Sequence, residues 1–226
     1  MSRTEPVLFI NAEKCRNSYS CVRVCPVNAI EVKPQKKNPV ILSDRCIGCG
    51  LCFVSCTPHA VEFRDSTADV KRMLASGKKT VALIAPSIAS EFDDITDYRK
   101  FVGMIRTLGF DYVHENSFGV DLIAHAYADF FSKAKGKYYI TANCPAIVKL
   151  IEKFNPGLVP NLAPLVSPMA ATAMVVRELY GDDVSVVFIG PCIDAKDETA
   201  LYRSGKLVDN VLTFIELRKL FEEFNI

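Results

Sequence analysis

Residues 46–56 read Cys46-Ile-Gly-Cys49-Gly-Leu-Cys52-Phe-Val-Ser-Cys56, with two, two and three residues between successive cysteines. A related segment lies 31 residues earlier in the chain, where Cys15, Cys21 and Cys25 match Cys46, Cys52 and Cys56. Residues 11–33 and 42–64 are therefore two copies of one unit. Short strands that flank cysteine turns are predicted at 7–10, 29–33, 39–42 and 60–64.

The spacing of the second copy is typical of the cysteine run that binds iron–sulfur clusters in bacterial ferredoxins. Three thiolates at every third residue of a tight turn can face one cluster, whereas the fourth is carried towards a neighbouring cluster. We expect Cys46, Cys49, Cys52 and Cys25 to hold cluster II, a complete 4Fe-4S site, and Cys15, Cys21 and Cys56 to hold cluster I. Zinc is disfavoured because its sites pair two Cys-x2-Cys knuckles across a longer gap.

The first copy lacks one cysteine, because Ser18 stands where the second ligand belongs. A serine hydroxyl is far harder to deprotonate than a thiol. We therefore expect cluster I to be a 3Fe-4S cluster, or a 4Fe-4S cluster with a labile iron, in preference to true ligation by Ser18. A plain loop serine with no cluster I is the remaining alternative. His59, in the place of Asn28, is interpreted as a surface residue.

Composition narrows the class of protein. The 226 residues are 50% hydrophobic and 23% charged, which is typical of a globular chain. A net charge of +1 leaves no positive surplus for nucleic acid or an anionic membrane. Nine cysteines, an odd number, without a recognisable signal peptide argue against a disulfide framework. With no apolar run long enough to span a bilayer, we expect a cytoplasmic protein without nucleic-acid or membrane partners.

After Asp65 the pattern changes to short apolar strands that alternate with amphipathic helices. Strands are predicted at 80–85, 112–114, 138–141, 184–189 and 211–213, and helices at 97–108, 121–133, 145–154, 168–180 and 215–224. The predicted fold is thus an α+β ferredoxin-like two-cluster domain at residues 1–65, followed by an α/β domain with a mostly parallel sheet at 66–226. Cys144 and Cys192 follow two predicted strands, where such folds place their sites.

Together with the cysteine repeat, Thr141-Ala-Asn-Cys144-Pro145 and Gly190-Pro191-Cys192 resemble the iron-only hydrogenase large-subunit family. Phe118-Gly-Val-Asp-Leu122 and Val166-Ser-Pro168 are similar to two further motifs of that family. The resemblance implies that Cys144 and Cys192 are two of the four ligands of the cubane part of the H-cluster. The other two family ligands lie on a later segment, so we expect an incomplete hydrogenase-like domain here and the cubane only in a longer chain.

The resemblance also implies three losses relative to catalytic members of the family. Asn143 stands at the proton-relaying cysteine, Ala195 at a lysine that contacts the iron ligands, and Ala126 at a glutamate of the proton path. Lys196 and Glu198 keep the family's second lysine and glutamate. This pattern points to a divergent, sensory-type branch in which regulatory modules follow the hydrogenase-like domain, and no catalytic residue is assigned to this chain.

The sequence therefore predicts an iron–sulfur electron-transfer protein whose hydrogenase-like domain senses redox state or hydrogen. Its partner would be a redox protein or a downstream regulatory module. Two alternatives stay open: a fragment of a working hydrogenase that interconverts protons and hydrogen, and a scaffold for iron–sulfur cluster assembly.

Overall fold

The two copies of the cysteine repeat are joined by two small antiparallel sheets. Strand β1 (Leu8–Ile10) pairs with β4 (Val61–Phe63), and β2 (Ile30–Glu31) pairs with β3 (Val40–Ile41). Helices α1 (Ser20–Val24) and α2 (Leu51–Val54) follow the two cysteine loops. Each sheet pairs the strand that precedes one copy with the strand that ends the other copy. The predicted pairing of short strands around cysteine turns is therefore confirmed.

The computed structural model describes residues 7–34, 37–93, 95–134, 136, 138–201 and 207–226, without the side chains of 200 and 201. The chain divides into two units. The first contains the chain up to Arg64 together with Cys144–Pro160. The second contains Asp65–Asn143 and Asn161–Ile226. The segment 144–160, which the sequence pattern groups with the α/β part, therefore packs in the unit of the cysteine repeat.

The second unit is built on a four-stranded parallel sheet in the order β6-β5-β7-β8. Its strands are β5 (Thr80–Ile84), β6 (Tyr112–Glu115), β7 (Ser185–Gly190) and β8 (Asn210–Thr213). The central strands β5 and β7 are almost continuous runs of buried apolar residues. Such runs are characteristic of parallel strands covered on both faces. The predicted α/β domain with a mostly parallel sheet is confirmed.

Helices accompany the strands along the chain. They are α3 (Thr67–Leu74), α4 (Ile88–Glu91), α5 (Tyr98–Thr107), α6 (Ser117–Lys133), α7 (Pro145–Phe154), α8 (Pro168–Tyr180), α9 (Ala195–Leu201) and α10 (Phe214–Phe224). Of these, α7 belongs to the first unit. Within the described ranges no helix has both the length and the apolar character needed to cross a membrane.

The predicted strand at 138–141 is wrong. Among the described residues, Ile140 forms only an isolated parallel bridge with Leu162 outside the four-stranded sheet. Tyr138 is 92% exposed, so the apolar character of the segment does not reflect a buried strand. Cys144 consequently does not follow a sheet strand; it caps the N-terminus of α7. Cys192 does follow β7, two residues after Gly190.

A buried ion pair connects α9 with the start of α10. Lys196 Nζ lies 2.9 Å from Glu216 Oε1, and both side chains are about 1% exposed or less. Lys196 Nζ also donates to Ser66 Oγ at 2.7 Å and to the Val211 carbonyl at 2.9 Å. Glu216 Oε2 accepts from the amide and the hydroxyl of Thr213, each at 2.7 Å. The two charges are therefore desolvated but held in a network of hydrogen bonds.

Replacing one partner of this pair should be costly. Lys196→Met leaves the Glu216 carboxylate buried without its cation, so the free energy of unfolding should fall by about 3–5 kcal/mol. The double variant Lys196→Met/Glu216→Leu should recover part of the loss. Denaturant titration measures both.

The matched control is Lys71→Met. The pair of Lys71 with Glu223 has the comparable length of 2.7 Å but lies at the surface, so its loss should cost less than about 1 kcal/mol. An equal loss in Lys196→Met and Lys71→Met would contradict the account.

Candidate iron–sulfur sites

Cysteines from both copies of the repeat line one cavity in the first unit. Its cysteines are the four predicted for cluster II: Cys25, Cys46, Cys49 and Cys52. The rest of the wall is mainly apolar and includes Val27, Ile30 and Ile47. Cys25 comes from the first copy, so the two copies contribute to one site.

A second cavity is lined by Cys15, Cys21 and Cys56, the three cysteines predicted for cluster I. Ser18 also lines it, at the position that Cys49 has in the other cavity. The Ser18 side chain is exposed, and its hydroxyl lies 3.4 Å from that of Ser20. Here too one cysteine, Cys56, comes from the opposite copy. The structure thus brings the predicted residues together in two groups.

The backbone repeats with the cysteines. Left-handed φ angles occur in pairs 31 residues apart: Asn17 with Gly48 (54° and 71°), Tyr19 with Gly50 (56° and 79°), and Asn28 with His59 (49° each). Glycine adopts this region freely, whereas Tyr19 does so at a steric cost. Sequence reasoning missed the conformation of Tyr19, although its alignment with Gly50 carries the signal. His59 is exposed in the turn after Cys56.

These turns direct backbone amides towards sulfur. The amide of Gly48 donates to Cys46 Sγ at 3.4 Å. The amides of Ala29 and Ala60 donate to Cys25 Sγ and Cys56 Sγ, each at 3.2 Å. Amide donors to ligand sulfur are one of the means by which proteins stabilise iron–sulfur clusters. The donor pattern fits a thiolate-bound group in each cavity.

Burial raises the pKa of several of these thiols. Desolvation raises the pKa of Cys21 and Cys46, and it raises the pKa of Cys52 to about 12, with the charges of neighbouring cysteines adding to the effect. Reactive cysteines need the opposite, a lowered pKa that favours the thiolate. These cysteines are suited to metal ligation, in which the metal displaces the proton, and not to nucleophilic chemistry.

The cysteines that line the two cavities fit a polynuclear group. Four cysteines line one cavity and three line the other. That arrangement is expected when each thiolate binds a different iron of one cluster.

Helix α7 contributes to the surroundings of the cavity predicted for cluster II, which the sequence pattern did not indicate. Lys153 Nζ donates to the carbonyl oxygen of Cys46 at 2.7 Å. Lys149, on the same helix, is only 8% exposed, and its charge offsets part of the rise that burial causes in the pKa of Cys46. A long-range contact of this kind leaves no local mark in the sequence.

The remaining family positions are not among the residues that line either cavity. Cys144 is exposed at the start of α7 in the first unit, whereas Cys192 is half-buried after β7 in the second. Asn143 is exposed, and Ala126 is half-buried in α6. Ala195 is 3% exposed at the start of α9, so a short methyl group occupies this buried position.

The fold and the two cysteine-lined cavities define an iron–sulfur protein with a two-cluster module. A family model described as iron only hydrogenase large subunit, C-terminal domain, matches residues 78–226. A second model, a 4Fe-4S dicluster domain, matches residues 7–57. The chain belongs to the iron-only hydrogenase large-subunit family, as its sequence motifs predicted.

Three relatives are similar to parts of this chain. The chain is 26% identical over 210 residues to the NADP-reducing hydrogenase subunit HndD of Solidesulfovibrio fructosivorans, covering 80% of this chain and 36% of the relative. It is 26% identical over 213 residues to the cytosolic Fe-S cluster assembly factor NAR1 of Yarrowia lipolytica, covering 80% and 43%. It is 34% identical over 55 residues to an uncharacterized ferredoxin of Methanocaldococcus jannaschii, covering 24% and 34%. The chain thus spans less than half the length of each.

Ser18 and Cys49 occupy equivalent positions in the two copies. Each can be replaced by the residue type of the other copy. Ser18→Cys should convert a three-iron cluster at site I into a four-iron cluster, because it completes the ligand set. Cys49→Ser, at the equivalent position, should create a three-iron cluster at site II. Low-temperature electron paramagnetic resonance of the oxidised protein measures the three-iron signal.

The control is Ser76→Cys, which adds a thiol at a residue that lines neither cavity and should leave the spectrum unchanged. Identical signals from two four-iron clusters in the unmodified chain and in Ser18→Cys would overturn the argument from the ligand set.

Removal of iron should make the stability of the protein fall at alkaline pH, because the thiols are buried. Because the folded-state pKa of Cys52 lies above its ordinary value of 9.0, the unfolded chain releases the proton first as the pH rises. The metal-free protein should therefore lose stability from about pH 9 upwards. With clusters bound, these thiols are ligands and the alkaline loss should be smaller. Anaerobic denaturation at about pH 8 and about pH 10 measures the difference.

Cys52→Ala should reduce the loss of stability that the metal-free protein shows at alkaline pH. Cys144→Ala, which removes an exposed thiol outside both cavities, should not. If chelation of iron changes neither the melting temperature nor its dependence on pH, the clusters do not stabilise this unit.

Proposed function

We propose that this chain is an iron–sulfur electron-transfer protein whose hydrogenase-like domain senses redox state or hydrogen and does not turn hydrogen over. The observation that carries the proposal is the exchange of ligands between the copies: Cys25 lines the cavity of the second copy and Cys56 that of the first. Two clusters held in this way would be neighbours, an arrangement that would suit electron transfer from one to the other. The cluster types, one complete 4Fe-4S and one lacking a thiolate at Ser18, are part of the proposal.

The surroundings of the hydrogenase motif favour sensing over turnover. Proton transfer at a reacting centre needs a group with a pKa near the working pH within hydrogen-bond reach. Asn143 has no proton that it can give up in this range. Ala195, buried as a methyl group, can make neither a hydrogen bond nor a charge contact. Cys144 and Cys192 would be H-cluster ligands by family membership, without the neighbours that turnover requires.

A second candidate is cluster assembly, and the similarity to NAR1 factors favours it. In this function a cluster is held transiently and passed on. Ser18 is exposed at the cavity predicted for cluster I. A cluster in that cavity would lack one thiolate ligand, which would suit its release to another protein. The two functions differ in whether the clusters stay bound.

Retention of the clusters separates the candidates. An electron-transfer protein should keep its iron and sulfide through gel filtration and through repeated cycles of reduction and oxidation. A scaffold should lose cluster to a metal-free acceptor ferredoxin at a rate that rises with acceptor concentration. A redox protein or a regulatory module is the partner proposed for the first function, and a cytoplasmic location is proposed for both.

Hydrogen turnover provides the test of the sensory assignment. After anaerobic maturation with the H-cluster, the chain should produce no more hydrogen than its Cys144→Ala variant, since Asn143 and Ala195 supply neither a proton nor a contact to the iron ligands. Gas chromatography with a strong reductant measures the rate. Sustained production by the unmodified chain above the Cys144→Ala control would establish the catalytic alternative and exclude the sensory one.

A further inference from the structure

Helix α7 packs directly on the cluster II side of the first unit. Its residues Leu150 and Phe154 lie against the small core formed by Val27, Ala29 and Ile47. Cys25 and Cys46, two of the proposed ligands, pack against the same core. The guanidinium of Arg45 stacks 5.2 Å from the centre of the Phe154 ring. The helix is therefore anchored beside the cavity by apolar and cation–π contacts.

Two lysines of α7 face this site. Lys149 and Lys153 are four residues apart and so lie on one face of the helix. Lys153 Nζ bridges two carbonyl oxygens of the cysteine loop, that of Ser43 at 3.0 Å and that of Cys46 at 2.7 Å. Lys149 is 8% exposed, deep enough for its charge to act with little screening by water. Lys153 is thus held on the loop that carries Cys46, and the charge of Lys149 also acts on the Cys46 thiol.

We propose that Lys149 and Lys153 raise the reduction potential of the cluster held by Cys25, Cys46, Cys49 and Cys52. Reduction adds a negative charge to the cluster, and nearby fixed cations stabilise the reduced state more than the oxidised one. The lysines act as positioning residues, through charge and through the loop, and bind no iron themselves. The inference rests on the part of the proposed function that assigns a four-iron cluster to these cysteines.

The coupling works in both directions. If the lysines stabilise the reduced cluster, reduction must strengthen the interaction between α7 and the loop that carries Cys46 by the same free energy. The helix begins at Pro145, directly after its N-cap residue Cys144, and its ten residues span about 15 Å. The redox state of cluster II is therefore transmitted to the helix whose N-cap residue is a proposed H-cluster ligand. Such a device would give a sensory protein a structural response to reduction.

The test is a redox titration of the full chain, reconstituted anaerobically and followed by the electron paramagnetic resonance of the reduced four-iron cluster. Lys153→Gln should lower the potential of cluster II by a shift that corresponds to about a tenfold loss in the reduction equilibrium, or about 59 mV for one electron. Lys153→Arg keeps the charge and should stay near the wild-type potential. Lys149→Met should shift it in the same direction as Lys153→Gln.

Lys71→Gln removes a lysine from the other unit and controls for net charge. A second readout is hydrogen exchange, in which the amides of α7 should be better protected in the reduced protein than in the oxidised one. This redox difference should shrink in Lys153→Gln, which a purely structural role of the lysine would not cause.

The outcomes distinguish a failure of this inference from a failure of the proposed function. If iron and sulfide analysis shows no four-iron cluster on Cys25, Cys46, Cys49 and Cys52, the proposed function fails and this inference with it. If the cluster forms in full and its potential is the same in the wild type, Lys153→Gln and Lys149→Met, the inference alone is overturned. A shift as large in Lys71→Gln as in Lys153→Gln also overturns it.

Discussion

Burial of sulfur in cavities that two sequence copies share is the constraint on which the first unit depends. Cys25 reaches the cavity of the second copy and Cys56 reaches that of the first, so neither copy contains a complete site. The β1–β4 and β2–β3 pairs hold the copies in the register that this exchange needs. A module of this size has little apolar core of its own, and metal ligation is the ordinary way to stabilise such a fold.

The second unit is stabilised by different interactions. Its parallel sheet is covered by apolar side chains, and the buried charges of Lys196 and Glu216 neutralise each other. It places Cys192 after β7, in the position where α/β folds carry their sites. The chain therefore combines a unit that we expect to depend on its cofactors with a unit that has an apolar core and a buried ion pair.

Much of this organisation could be predicted from local sequence. The cysteine spacing and the repeat predicted both ligand groups, and the alternation of apolar runs with amphipathic helices predicted the parallel sheet. The strand at 138–141 could not be excluded, because an exposed apolar segment such as that of Tyr138 has the same local pattern as a buried strand. The position of α7 could not be predicted either, because the hydrogen bond from Lys153 to Cys46 joins residues 107 positions apart. Tertiary contacts, and not residue types, decided both.

The central claim, that the repeat binds two iron–sulfur clusters, is tested most directly by counting iron and acid-labile sulfide in the anaerobically prepared chain. A complete four-iron cluster with a three-iron or labile four-iron neighbour predicts about seven to eight iron atoms and about eight sulfides per chain. Iron or zinc bound without acid-labile sulfide would show that the cysteines hold single ions. Iron and sulfide sufficient for only one cluster would contradict the claim of two.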